Sequence, residues 1–257
     1  MKLYLGDIIP TSTLDWPGKV VLVVFMWGCP LRCPYCSNAR FIEVPGDAQP
    51  SDTEFVDAKV LEASPFIDGV IFSGGEPFMQ PAALKEMAAY ARGLGLLVGV
   101  HTNGVYPDRI GEMAGAGLLD AVFLDVKAPL EYEAYRAACG ELKKDTFESI
   151  KRSLALCCEL RKDKKILFLE ARTTVLQGIS DTVEDVEKIA LAVECADAYV
   201  VQQGRPEVAM DERLKATEAV HRNKLVEMAR AAREKASTIK TIKVRTHMFG
   251  DEIIKKP

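Results

Sequence analysis

Short apolar runs alternate with longer amphipathic stretches along most of this chain, and that alternation limits what it can fold into. The runs at 20–26, 69–73, 96–101, 121–126, 166–175 and 198–202 are rich in Val, Ile, Leu and Phe. They mostly lack strict in–out alternation, which is how strands buried on both faces of a parallel sheet read. Helical stretches separate them. One opens at Ser51-Asp52-Thr53-Glu54 with capping residues and an early acid, and others cover 81–94, 108–113, 145–160, 181–195 and 211–236. Repeated β-α units give parallel strands with right-handed crossovers. Six such units are too few for a closed eightfold barrel. The expected fold is therefore α/β, an open partial (β/α)6 barrel with a mostly parallel sheet. It forms a single domain over 1–257, with a core at about 15–205 and a C-terminal helix and edge strand (241–246) within 211–250. Residues 43–51 read as a connector inside the first unit.

At 257 residues the length suits one such domain, and a hydrophobic share of 48% supports a sizeable core. Net charge is −4 with no basic block, which argues against nucleic acid or an anionic membrane as partner. The first residues, Met-Lys-Leu-Tyr-Leu-Gly-Asp, lack the apolar core of a signal peptide, and no apolar stretch is long enough to span a bilayer. A cytoplasmic location is expected.

Of seven cysteines, three fall in the run Cys29-Pro-Leu-Arg-Cys33-Pro-Tyr-Cys36, directly after the first apolar run. Three thiolates on one short loop can converge on one inorganic centre. Cuboidal iron–sulfur clusters normally take four thiolates, so a three-thiolate site leaves one iron open to a reactant. A structural zinc site would need a second cysteine pair or nearby histidines. No such pair exists, and His101, His221 and His247 are scattered. Cys139, Cys157, Cys158 and Cys195 lie in helical-looking stretches away from the loop and read as reduced core thiols.

Ligands of parallel α/β sheets bind at the carboxyl ends of the strands. The unusual polar residues of this chain fall there. Ser73-Gly74-Gly75-Glu76-Pro77 follows the second strand, and His101-Thr102-Asn103-Gly104 the third. Asp125-Val126-Lys127 closes the fourth, Arg172-Thr173-Thr174 lies in the fifth, and Gln202-Gln203 ends the sixth. Gly74-Gly75 lets backbone approach a ligand with no Cβ in the way, or simply makes a tight turn. Asp125 and Lys127 share a strand face, as a functional pair or as a salt bridge. Arg172 suits a carboxylate, with an ion pair to Glu170 as the plainer reading.

The cysteine spacing with Gly-Gly-Glu-Pro resembles the radical SAM superfamily. Thr11-Ser12-Thr13-Leu14-Asp15-Trp16-Pro17-Gly18-Lys19, followed by the Cys-Pro-Leu-Arg-Cys-Pro-Tyr-Cys-Ser-Asn run, resembles its glycyl-radical-enzyme activating proteins. Within those, the group activating anaerobic ribonucleoside-triphosphate reductase is most similar. The resemblance implies a [4Fe-4S] cluster on Cys29, Cys33 and Cys36, and S-adenosylmethionine as the second cofactor. Tyr35 would lie against the adenine, and Gly74, Gly75 and Glu76 would frame the amino group. Thr102, Asp125 and Lys127 would line the methionine-carboxylate side, where relatives bind a monovalent cation, and Arg172 would reach in from the fifth strand. It also implies an oxidoreductase that forms a 5′-deoxyadenosyl radical, takes one electron from ferredoxin or flavodoxin, and removes hydrogen from a glycine of a partner enzyme.

Two positions depart from the family pattern. Relatives carry Asp where His101 stands, and a histidine offers a cation no anionic oxygen. Relatives often carry His where Ser37 stands. A radical enzyme acting on another peptide or small molecule is the alternative, and a non-catalytic metal-binding module a weaker one. After the fifth strand, Leu176-Gln177-Gly178-Ile179 is a candidate adenine-side turn.

Overall fold

The computed structural model describes residues 1–256. Its strands are β1 (Lys2–Leu3), β2 (Leu5–Ser12), β3 (Val21–Met26), β4 (Ser51–Asp52), β5 (Gly69–Gly74), β6 (Leu97–Thr102), β7 (Ala121–Asp125), β8 (Phe168–Val175), β9 (Ala198–Gln203), β10 (Thr241–Thr246) and β11 (Gly250–Ile254). Its helices are α1 (Thr53–Ala63), α2 (Pro81–Gly93), α3 (Pro107–Gly115), α4 (Tyr132–Cys139), α5 (Lys144–Lys162), α6 (Val183–Ala192), α7 (Glu212–Lys215) and α8 (Arg222–Lys235).

The main sheet has nine strands in the order β11-β10-β9-β8-β7-β6-β5-β3-β2. All pairings from β3 through β10 are parallel, and β2 and β11 add antiparallel edges. The two edge strands do not pair with each other, so the sheet is open. All six apolar runs become strands of the parallel part. Residues 241–246 do form a strand, but β11 covers it, so β10 is not the edge. Both true edges, β2 and β11, are largely exposed and carry no apolar run to betray them.

Strand residues of one parity pack against the helices. Leu22, Val24, Val70, Phe72, Val98, Val100, Val122 and Leu124 share one large core with Leu84, Met87, Ile110, Leu154, Ile189 and Met228. The other face is filled at its lower end by a small separate core of Trp16, Val21, Val23, Ile71, Ala121 and Phe123. Gly99 makes room for it: a Cβ there would stand 2.5 Å from Ile71 and 3.0 Å from Trp16. Above this plug, the same face turns polar.

Two expectations change. The single helix expected at 211–236 is broken into α7 and α8. Gln203 and Gln177 donate to the Val220 and Glu218 carbonyls at 2.9 and 3.2 Å, and the His221 ring accepts from Asn223 N–H to start α8. Cys158 and Cys195 are not separate thiols: they form a disulfide between α5 and the turn after α6, with Cα atoms 5.4 Å apart across 37 residues of sequence. Parallel packing of neighbouring β-α units brings them together, which spacing alone does not reveal. Cys157, about 100° round the helix from Cys158, stays free and buried.

Candidate active site

The carboxyl ends of the parallel strands surround one cavity of about 400 Å³. Cys29, Cys33, Tyr35, Cys36, Gly74, Gly75, Thr102, Asp125, Lys127 and Arg172 all line it. The sheet thus brings together residues spread over more than half of the sequence.

The cysteine loop is held by backbone. Gly28 N–H donates to Phe41 O at 2.8 Å and Cys29 N–H to Ile42 O at 3.0 Å. Gly75 N–H reaches Met26 O at 2.8 Å, and Glu76 N–H reaches Gly28 O at 2.7 Å. This close approach explains the glycine pair. Gly74 has φ +112°, and a Cβ on Gly75 would meet Gly28 O at 2.2 Å. From the far end of the chain, Met210 and Asp211 N–H both donate to Pro34 O, so the segment after β9 closes onto the same loop.

Glu76 is the candidate whose side chain lies elsewhere. It is wholly buried and does not line the cavity. Its carboxylate accepts from Thr102 Oγ1 at 2.9 and 3.0 Å, Asn103 N–H at 2.8 Å and Phe78 N–H at 3.2 Å. The side chain clamps the end of β6 to the turn after β5, leaving only its backbone to frame a ligand. Burial pushes its carboxyl up to about 7 against those donors.

Asp125 and Lys127 do pair, at 2.9 Å. Burial pulls the Lys127 ammonium down, yet Asp125 and the neighbouring Tyr35 and Cys33 hold it well above its ordinary value. It stays charged. The Tyr35 ring lies 5.9 Å from Lys127 Nζ, and its buried hydroxyl has no partner among the described residues.

Arg172 serves both of its readings. It lines the cavity, and its Nε donates to Glu170 at 2.6 Å. Its other nitrogens reach His101 Nε2 and Asp15 O, each at 3.2 Å. His101 Nε2 thus lies between the Arg172 guanidinium and, at 3.3 Å, Asp15 O, while Nδ1 lies 3.2 Å from Ser73 Oγ. Burial, then the Arg172 charge, lower the imidazole pKa well below its usual value. His101 is thus a neutral, satisfied strand-end residue that supplies no anionic ligand. Leu176 to Ile179 makes a tight turn with Gly178 at φ +77° and does not line the cavity.

Cys139 corrects another expectation. It is not remote: its thiol neighbours Cys33 and lowers the Cys33 pKa against burial. Burial instead pushes Cys29 up to about 12 and raises Cys36. The end of α4 reaches the loop because Gly140, at φ +75°, sits against the Arg32 carbonyl; a Cβ there would be 2.8 Å from it.

The sequence profile of the radical SAM superfamily matches residues 23–193. The chain belongs to the radical SAM superfamily. Over 91% of its length it is 34% identical to a provisionally named glycyl-radical enzyme activating enzyme of Methanocaldococcus jannaschii, covering 93% of that protein. It is 27% identical to the pyruvate formate-lyase-activating enzyme of Clostridium pasteurianum, over 69% of this chain and 76% of that one. Among radical SAM enzymes it is therefore of the glycyl-radical-enzyme activating type. A TYW1 structure with a lysine-pyruvate adduct shares the fold at a TM-score of 0.61 and 17% identity, over 92% of this chain and 80% of that one. No helix among the described residues is long and apolar enough to cross a membrane.

Radical SAM enzymes use a [4Fe-4S] cluster and S-adenosylmethionine, and the residues here fit them. Three thiols face one cavity whose wall is opened by two glycines. Among the described residues no three His, Cys, Asp or Glu side chains converge on one ion. A cuboidal cluster does not require that, since each thiolate binds its own iron. Iron charge would also overcome the burial that protonates Cys29 and Cys36.

Proposed function

We propose that this enzyme places a glycyl radical on a partner of the anaerobic ribonucleotide reductase kind, with ferredoxin or flavodoxin as electron donor. The near full-length likeness to a glycyl-radical enzyme activating enzyme carries this reading. Cys29, Cys33 and Cys36 would hold the cluster. When bound, it supplies the electron that splits S-adenosylmethionine into methionine and a 5′-deoxyadenosyl radical.

The protein's own residues bind and orient. The aminocarboxylate of methionine is a zwitterion, and Asp125 with Lys127 presents both signs beside the cysteines. The exposed backbone of Gly74 and Gly75 would take the amino group, and Thr102 and Arg172 would flank the carboxylate. Tyr35 offers a ring for the adenine. A cation at this site would lack the usual carboxylate, since His101 is neutral and fully engaged. Hydrogen-atom abstraction needs no general base, and none is assigned.

The test uses anaerobically reconstituted protein with reductant, S-adenosylmethionine and a candidate anaerobic ribonucleotide reductase. A doublet in the paramagnetic resonance spectrum of the partner, matched by 5′-deoxyadenosine, supports the reading. Cys33→Ala is expected to abolish both iron binding and cleavage; cleavage that persists would sink the cluster assignment.

One observation favours a second reading. Thr174, Gln202 and Arg245 stand side by side in register on β8, β9 and β10 and line the cavity above Arg172. Such convergent polar groups suit a small molecule. A 7-carboxy-7-deazaguanine synthase of M. jannaschii is 24% identical over 69% of the chain, covering 75% of that enzyme. Deoxyadenosine formed without a glycyl signal would favour this reading.

A further inference from the structure

The third rim motif holds Asn103, which is buried at 6% exposure. Its position is fixed from two sides. Its backbone N–H donates to Glu76 Oε2 at 2.8 Å, and its Oδ1 accepts from Val105 N–H at 3.1 Å. An amide offers an acceptor on one end and donors on the other. With Oδ1 committed to Val105, the amide orientation is settled by the turn, and Nδ2 faces Cys29 Sγ at 3.6 Å.

We propose that Asn103 is a positioning residue for the iron–sulfur cluster. It donates an N–H···S hydrogen bond to the Cys29 sulfur and thereby raises the cluster's reduction potential. The inference rests on Cys29, Cys33 and Cys36 holding the cluster, as read above. Adding an electron increases negative charge on the cluster and its sulfur ligands. A fixed donor favours that reduced form over the oxidised one, and hydrogen bonds to sulfur are among the controls on cluster potential. The effect is strengthened by burial, where a hydrogen bond is poorly screened. The Glu76 clamp and the Val105 turn hold the amide in place before any cluster arrives.

Wild type, Asn103→Ala and Asn103→Asp are reconstituted anaerobically, and iron and sulfide are counted. The oxidised cluster is then titrated with dithionite in the presence of redox mediators, without S-adenosylmethionine, and the reduced form is followed by paramagnetic resonance. Asn103→Asp keeps the acceptor for Val105 N–H and removes the donor to sulfur. Asn103→Ala removes the donor without adding charge. Both are expected to bind a full cluster but to show about a tenfold lower reduced-to-oxidised ratio at fixed potential, about 59 mV for one electron. An Ala variant that titrates like wild type overturns the proposal, because a fall in Asp alone reflects charge. Loss of the cluster from both variants also overturns it, since Asn103 would then hold the cluster rather than tune it. A wild type that binds no cluster fails the underlying reading and takes this inference with it.

Discussion

Gly75 and Glu76 are adjacent, yet the structure uses them in opposite ways. Gly75 brings backbone against backbone. In Gly75→Ala the new methyl would meet the Gly28 and Phe41 carbonyl oxygens at 2.2 and 2.7 Å. Neither is a flexible side chain, so the cysteine loop must shift, at a cost of about 1–3 kcal/mol. Lower iron content after reconstitution together with a lower Tm is the expected outcome; normal iron content would show that the loop adapts. Glu76 acts as a buried acceptor. Its folded pKa of about 7 lies above the ordinary 4.5, so the native state keeps a proton that the unfolded state has lost. That contribution is full below pH 4.5 and declines as pH rises to about 7. Gln at this position leaves one donor unmatched and does not titrate. Wild type is therefore expected to exceed Glu76→Gln in urea stability at pH 5, by about 1–3 kcal/mol. The gap should narrow by up to about 1.4 kcal/mol per pH unit on the way to pH 7. A gap that widens with pH would contradict the burial argument.

At the scale of elements, the apolar runs located the parallel strands β3 and β5 to β9 because each is buried on both faces, whereas β10 was expected only as an edge. Apolar periodicity was weakest where local hydrogen bonds set the boundary. Helix α6 begins where the Thr182 hydroxyl accepts from Asp185 N–H at 3.1 Å. Thr182→Ala is expected to lower stability by about 1 kcal/mol, read from chemical denaturation. An unchanged midpoint would mean that packing of α6 on α8, not the cap, fixes its start. The break between α7 and α8 is set from further away. It depends on glutamines from β9 and from the turn after β8 reaching the Val220 and Glu218 carbonyls, contacts that no window of the sequence 211–236 contains.

Across the whole molecule, one ladder of charges ties three strands together beneath the cavity. Arg172 binds Glu170, Glu170 binds Lys243 at 3.2 Å, Lys243 binds Asp251 at 2.7 Å, and Asp251 binds Arg245 at 2.6 Å. Glu170 is fully buried and Lys243 nearly so. Burial raises the Glu170 pKa, but Arg172 and Lys243 outweigh it and hold the carboxyl below its ordinary 4.5. Its contribution is thus present above pH 4.5 and lost as pH falls further. Removing one partner leaves buried charge uncompensated. Lys243→Met is expected to cost about 3 kcal/mol in denaturant unfolding at pH 7 and to lose less than wild type on acidification. A variant as stable as wild type would show that Arg172 alone satisfies Glu170.

The cysteine spacing, the glycine pair and the succession of buried strands were legible in the sequence, because each is set by neighbours a few residues away. Strand ends of a parallel sheet share one rim, so the sequence also implied that Asp125, Lys127 and Arg172 would meet the cysteines. Only the tertiary structure decided what lies behind that rim. It turned the Glu76 side chain inward, brought Cys139 to Cys33, joined Cys158 to Cys195, and aimed the Asn103 amide at Cys29. Each depends on how distant elements pack and on which way a side chain turns, and local periodicity encodes neither.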